Sequence, residues 1–361
     1  MTQEHVLVTG SSGHLGCALM HLLPNLGYTP IGLDIRPSET TTTVGSITDA
    51  SILELLFTKY EFHSIIHAAT LHKPHIESHT KSDFINVNVT GTTLLLDLAA
   101  AASDPKPSFI YISSTSAFGN ALSPSPGNPA SWIDESVVPK PKNIYGVTKI
   151  CAEDICALVS EESGLNVAVL RIARFFPEDD DVKERRERWT SANLKVNELC
   201  YRRLDLDDVV AACVAAMRTF GTSSTDGSMN EGEREGKGKG RFGMYIISAP
   251  SPFSNDAQTL ALLDSDPSIP LQNTVPSYEP VFGKLGWRFL DRIDRVYDSS
   301  KARRELGWEP VYTFERALKK LRKGEEWRSE ISLKVGRRGY HEKPTGVYTL
   351  DAIGSEGSVV V

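Results

Sequence analysis

The stretch Thr9-Gly10-Ser11-Ser12-Gly13-His14-Leu15-Gly16 follows a short β-rich run, His5–Thr9, and opens a helical pattern over His14–Asn25. Leu15, Leu19, Leu22 and Leu23 fall on one face of that helix. Glycines at this spacing are weak evidence alone, but the strand-turn-helix setting gives them a physical role. Gly10 permits the tight turn. Gly13 lets the backbone approach a pyrophosphate, and Gly16 lets the helix pack close to the strand. Exposed amides at the helix start then bind the anion.

Asp34 ends the second predicted strand, Tyr28–Leu33, 18 residues after Gly16. A carboxylate there accepts from ribose hydroxyls and repels a 2′-phosphate, so the expected cofactor is NAD rather than NADP. Arg36 pulls the other way, because a guanidinium pairs with such a phosphate.

Working outward, strand-like runs at Ser64–His67, Ser108–Ile112 and Asn166–Arg171 alternate with helical patterns at Ala50–Lys59, Phe84–Ala102 and Tyr145–Ser163. That alternation predicts an α/β fold with a doubly wound parallel sheet. The regularity drops after residue 175. The expected division is a dinucleotide-binding core over 1–175 and a smaller C-terminal substrate-binding lobe over 176–327, with some elements returning to the core. Residues 221–240 are Gly, Ser, Glu and Lys with almost no apolar side chain, which predicts a disordered insertion. Residues 328–361 read as a flexible tail.

The 361 residues carry a formal charge of −7, which argues against a general nucleic-acid binder. No apolar run in the sequence reads as a membrane span, and the first residues do not read as a secretory signal. Cys17, Cys151, Cys156, Cys200 and Cys213 form no C-x-x-C pair, which fits reduced thiols in a cytoplasmic protein.

A second constellation lies at Tyr145-Gly146-Val147-Thr148-Lys149. At i and i+4 on a helix, the phenol and the ammonium share a face. A phenol is a poor base near neutrality, and a neighbouring ammonium lowers its pKa. Upstream, Ser113-Ser114-Thr115-Ser116-Ala117-Phe118-Gly119 follows the apolar run Phe109–Ile112. Hydroxyls at the carboxyl end of a parallel strand reach the ligand crevice.

Together these residues resemble the extended short-chain dehydrogenase/reductase superfamily, in its NAD-dependent epimerase/dehydratase family. The resemblance runs from about residue 5 to residue 321. It includes His67-Ala68-Ala69, Asn88-Val89-Thr90-Gly91-Thr92, Leu170-Arg171, and the stretch from Tyr297 to Pro310 ending Glu305-Leu306-Gly307-Trp308-Glu309-Pro310. It implies a Rossmann-type domain holding NAD through Gly10, Ser12, Gly13, His14, Leu15, Gly16, Asp34, Ile47, Ala68, Ala69, Asn88, Tyr145 and Lys149. Tyr145 is implied as acid/base, Lys149 as its electrostatic partner, and Ser114 as donor to the reacting oxygen. Ser114 is chosen because it lies five residues before Gly119. The substrate is then a small molecule with a secondary alcohol, and a homodimer through the Tyr-Lys helix is implied by family habit.

Departures bear on the substrate. Ala117-Phe118-Gly119 lacks the phenol of the family's usual Val-Tyr-Gly. Ser46 stands where the family often has Asp. Leu170-Arg171-Ile172-Ala173-Arg174-Phe175-Phe176-Pro177 places Arg174 at the family's Asn, which suggests a carboxylate or phosphate on the substrate. This stretch also looks like the uronate dehydrogenases of the superfamily. His72, Ser114, Thr115 and Arg174 are the expected substrate contacts. Three His and one Glu crowd together over Leu71–His79, but Pro74 and uneven spacing argue against a preformed metal site, and no metal is expected. The basic run Lys183–Arg188 and the acidic run Glu178–Asp181 read as surface.

Epimerase, dehydratase and dehydrogenase share one proton-and-hydride core, so the residues leave them open. A different class, an NAD-binding sensor or scaffold without turnover, is disfavoured because Tyr145 and Lys149 are both present.

Overall fold

The run Val6–Val8 is fully buried, and it forms the middle of an inner strand of a seven-stranded sheet. The computed structural model describes residues 4–119, 123–180, 182–221 and 240–338. Its strands are β1 (Glu4–Thr9), β2 (Tyr28–Asp34), β3 (Thr43–Val44), β4 (Phe62–His67), β5 (Ser108–Ser114), β6 (Ser131–Ile133), β7 (Val167–Ile172), β8 (Phe242–Ile247) and β9 (Arg295–Tyr297). The first helices are α1 (His14–Leu22), α2 (Ala50–Lys59), α3 (Lys81–Ile85), α4 (Gly91–Ala101) and α5 (Ile144–Ser163). They are followed by α6 (Lys183–Arg188), α7 (Ser191–Glu198), α8 (Leu206–Phe220), α9 (Ala257–Ser265) and α10 (Ser268–Thr274). The last are α11 (Tyr278–Leu285), α12 (Ser300–Leu306), α13 (Phe314–Arg322) and α14 (Glu330–Val335).

The sheet order is β3-β2-β1-β4-β5-β7-β8, with β1 pairing parallel to both β2 and β4. This is the doubly wound Rossmann-type arrangement. The order reverses between β1 and β4, so the carboxyl ends of these two strands form the switch-point crevice where ligands bind in such sheets. Helices on its faces bury the strands on both sides, as in β7, buried at every position, Arg171 included. Local chemistry starts and stops the helices. Asp49 caps α2 by accepting from the amides of Ser51 and Ile52. Asn143 caps α5 through Gly146, and Gly164, at φ 76°, ends it.

The chain divides into two compact units. The first gathers the residues up to Ala117, Asn143–Arg171 and the described part of Ala212–Tyr245. Its core joins Leu7, Leu33, Ile65 and Phe109 of the sheet to Leu53, Leu95, Leu96 and Cys156 of the helices. The second gathers the described parts of Phe118–Lys142 and Ile172–Ala211 and the described residues from Ile246 on. There β6 and β9 pair in parallel. Asp208 accepts from the amides of Val311 (2.7 Å) and Tyr312 (2.9 Å), and its carbonyl accepts from the Trp308 indole.

Several expectations change. The helix expected over Phe84–Ala102 begins earlier and contains a π turn over Asn86–Thr90. This Lys81–Ala101 run has the length and mean hydropathy (1.3) of a membrane-crossing helix, contrary to the sequence reading. Its apolar face is instead spent on the core, where Phe84, Leu95, Leu96 and Ala99 are buried. The stretch after Arg328 does not fray at once. Ser329 caps α14 and is tied to Asp205, its amide and hydroxyl donating to the two carboxylate oxygens at 3.1 and 2.5 Å. Glu178 and Asp180, read as surface, are buried. The insertion expected over 221–240 lies outside the described residues except for its end glycines, as does the tail from 339 onward. All five cysteines are free thiols.

Candidate active site

At the crest of β1 the chain turns at Gly10, whose φ of 73° is costly for any other residue. A Cβ there would lie 2.8 Å from the amide nitrogen of Ala69, and a Cβ on Gly16 only 2.0 Å from the carbonyl of Gly10. The glycines therefore let turn, helix and the end of β4 close on one another. Gly13 is the N-cap of α1 and supplies no side-chain cap, and the first turn holds no acidic residue. The opening amides of a nine-residue helix thus lack an internal anion, which fits a pyrophosphate.

Asp34, half-buried at the tip of β2, accepts from the amides of Ser12 (3.0 Å) and Arg36 (2.9 Å). Its carboxylate is therefore held against the turn, beside the expected ribose position. Ile47 is buried, and Gly91 makes room for it, since a Cβ at Gly91 would meet its Cδ1 at 2.8 Å. His14 and Leu15 are likewise buried in the first turn of α1.

His67 ends β4 as a buried linker. Its Nδ1 lies 2.7 Å from Thr9 Oγ1 and its Nε2 lies 2.9 Å from Thr92 Oγ1. Burial, and then the charge of Lys149, push its pKa down to about 3, so it is neutral. Ala68 and Ala69 follow, their amides donating to the carbonyl and hydroxyl of Thr9. Asn88 is buried behind the hydrogen bonds of the loop after β4. Only 1% exposed, its carbonyl accepts from Thr70 and Leu71, and its amide donates to Leu71 and Thr148. These bonds fix the loop after β4 to α5.

On α5, Tyr145 and Lys149 sit one turn apart and both are buried. The phenol hydrogen-bonds Ser114 at the end of β5. Burial pushes Tyr145 up to about 12, while that hydrogen bond pulls it down. Lys149 donates to the carbonyl of Ile112 at 2.8 Å, and its Nζ lies 4.7 Å from the Tyr111 ring centre and 6.0 Å from that of Tyr145. Burial lowers Lys149 to about 7, against the opposing pull of Glu153. The expectation that Lys149 lowers the phenol's pKa is not met in this geometry, because its ammonium is turned to a strand carbonyl. Thr115 is buried in the turn after Ser114.

Sequence reasoning passed over Glu153, the next residue in the i, i+4 series from Tyr145 and Lys149. It is 1% exposed, accepts from Ser113 at 2.5 Å and forms a two-pronged ion pair with Arg171. The signal was present as Y-x-x-x-K-x-x-x-E.

Among the other expected substrate contacts, His72 precedes a 3-10 turn, Lys73–Glu77, and its ring stands edge-on to buried His75, 4.5 Å between centres. In the second unit Arg174 lies inside an ion cluster. Its Nη1 donates to Asp180 at 2.5 Å and to Glu198 at 3.3 Å. Arg185, Arg202 and Arg203 also approach these two carboxylates. Burial alone would raise Glu198, but Arg202, Arg174 and Arg203 hold it well below the usual carboxylate range. Arg174 is thus paired within the protein, in a cluster where four arginines face two carboxylates. A cavity of about 140 Å³ adjoins the cluster, lined by Arg174, Arg186, Trp189, Lys195 and Arg203 among others.

The model of the NAD dependent epimerase/dehydratase family matches residues 6–230. The chain belongs to this family. It is therefore an enzyme of the extended short-chain dehydrogenase/reductase type, in a family whose cofactor is NAD. It is similar to UDP-glucuronate 4-epimerase 3 of Arabidopsis thaliana, 24% identical, over 88% of this chain and 75% of that one. It is also similar to a decarboxylating sterol-4-alpha-carboxylate 3-dehydrogenase of Gibberella zeae, 25% identical, over 76% and 95%. Among solved structures, a short-chain dehydrogenase/reductase superfamily protein from Agrobacterium tumefaciens with bound NAD superposes with a TM-score of 0.57. It is 19% identical, over 89% and 96% of the two chains. UDP-glucose 4-epimerase of Thermotoga maritima gives 0.56 at 20% identity, over 87% and 96%. At these identities the superpositions establish the fold.

Proposed function

We propose that this epimerase/dehydratase family member oxidises a secondary alcohol of a sugar or sugar-acid substrate, with Tyr145 as the proton acceptor. The observation that carries the reading is the Tyr145–Ser114 hydrogen bond at the carboxyl end of β5, in the unit that also carries the uncapped glycine turn. Gly10, Gly13 and Gly16 with the opening amides of α1 would hold the pyrophosphate, and Asp34 the adenosine ribose. NAD, when bound, supplies the hydride acceptor. Ser114 holds the substrate hydroxyl and the ionised form of Tyr145, the phenolate, takes its proton, so that the carbinol carbon becomes a carbonyl as its hydride leaves. An epimerase or dehydratase regains the hydride before release; a dehydrogenase does not.

An acidic substrate is favoured by the relatives. The names of the Arabidopsis and Gibberella enzymes both specify a carboxylate-bearing substrate, a glucuronate and a sterol carboxylate. The second reading, a silent NAD-binding protein, draws on the orientation of Lys149 toward Ile112 and the raised phenol pKa.

The test is to incubate the purified chain with NAD and either free uronates or UDP-glucuronate. Nicotinamide absorbance reports a dehydrogenase, and chromatography of the sugar reports an epimerase. Tight NAD binding with neither change across the panel would favour the silent reading.

A further inference from the structure

We propose that Glu153 is a positioning residue of the reaction, keeping Lys149 charged and fixing the Ser113–Ser114 strand end against Tyr145. The inference rests on the catalytic reading above and adds a third member to its helix face.

The geometry has two arms. One arm reaches β5, where the Ser113 hydroxyl donates to Glu153 Oε1 at 2.5 Å. Ser113 lies between Ile112, whose carbonyl receives the Lys149 ammonium, and Ser114, which bonds the phenol. One carboxylate thus anchors the strand segment that both catalytic side chains use. The other arm reaches β7. Arg171 donates through Nε at 3.1 Å and through Nη2 at 2.7 Å, a fork that sets the carboxylate's orientation.

Charge supplies the second role. Lys149 is 2% exposed, and burial disfavours an ammonium. The groups around it are Tyr111 of β5, His67 of β4, Arg171 of β7, and Tyr145, Glu153 and Cys156 of α5. His67 is neutral, the phenols and thiol are held protonated by burial, and Arg171 is a cation. Glu153 is the one anion in this set. Without it Lys149 loses its proton at lower pH, and the Ile112 carbonyl at the strand end loses its charged donor.

The experiment compares Glu153→Gln, Glu153→Asp and the double change Glu153→Gln with Arg171→Met. The glutamine keeps the shape and the Ser113 acceptor but removes the charge. The double change also removes the stranded guanidinium, since a buried cation left alone often prevents folding. Lysine labelled at Cε reports each ammonium by NMR titration, with Lys149→Met identifying the resonance. The expected result is a downward shift of the Lys149 titration by about one unit or more, with the alkaline limb of turnover moving to lower pH by the same amount. Each unit is about a tenfold loss of turnover on that limb. Glu153→Asp, which keeps the charge, should titrate close to wild type even if less stable.

A folded Glu153→Gln whose Lys149 titrates with the wild type overturns the proposal; if that variant does not fold, the double variant is compared with Arg171→Met alone, and equal Lys149 titrations in those two overturn it. The NMR titration needs no substrate. If the wild type turns over nothing, the catalytic reading fails while the titration still decides the role of Glu153.

Discussion

The Ser12 amide donates to Asp34 Oδ2 at 3.0 Å, so the acidic residue that ends β2 is fastened to the glycine turn that joins β1 to α1. Turn and carboxylate form one unit, and a change in either moves both.

This coupling sets the first expectation. Wild-type protein should bind NAD more tightly than NADP, since a 2′-phosphate would meet the Asp34 charge. Asp34→Ala should erase the preference and also loosen NAD, because the Ser12 and Arg36 amides lose their acceptor. Calorimetry with both cofactors measures this. Equal or tighter NADP binding by the wild type would show that Arg36 governs the pocket.

Tyr145→Phe keeps the ring and removes the oxygen bonded to Ser114. Turnover should fall about 10²–10⁴-fold with NAD affinity little changed. Near wild-type turnover on an established substrate would remove Tyr145 from the acid/base role.

Ser114→Ala should lower turnover and also move the activity profile to higher pH. The Ser114 hydrogen bond opposes burial and holds the phenol at about 12, so without it the phenol rises further. A pH–rate profile with wild-type position and lower height would contradict this.

His67 makes stability fall in acid. Its folded pKa, about 3, lies below the ordinary value of 6.5, so the unfolded chain binds a proton that the native protein refuses. The stabilisation is complete above pH 6.5 and is lost as pH falls toward 3, by roughly 4–5 kcal/mol. Urea unfolding across that range should show a shallower pH slope in His67→Asn than in wild type. Equal slopes would mean that other groups govern the acid limb.

Asn88→Ala should cost about 1–3 kcal/mol, since Leu71 and Thr148 lose partners in a buried setting. Denaturant unfolding measures the loss. Unchanged stability with weakened NAD binding would point to the direct cofactor role instead.

The sheet was legible because apolar strands and amphipathic helices announce themselves by period, and the turn at Gly10–Gly16 by its setting. The strands β3, β6 and β9, of two or three residues each, carry too little pattern to show a period. Tyr145, Ser114 and Lys149 were legible as an order along the chain. The hydrogen bond of Ser114 to the phenol and the turn of Lys149 toward Ile112 depend on how β5 meets α5, which no spacing encodes. Arg174 shows the same limit: its type suggested a ligand, whereas Asp180 and Glu198 occupy it. The acidic run seemed solvated because burial of Asp180 is made tolerable by arginines distant in sequence, Arg202 among them.

The 2.0 Å approach of a hypothetical Gly16 Cβ to the Gly10 carbonyl changes how mutagenesis of the turn should be read. Gly16→Ala would have to push the helix off its own strand before any nucleotide arrived, so lost affinity in that variant reports assembly of the scaffold rather than recognition. Gly13, the uncapped start of α1, is the position where substitution interrogates the ligand itself. A scan across the turn would therefore mix two currents, one of folding and one of binding, and only a melting curve beside each affinity separates them.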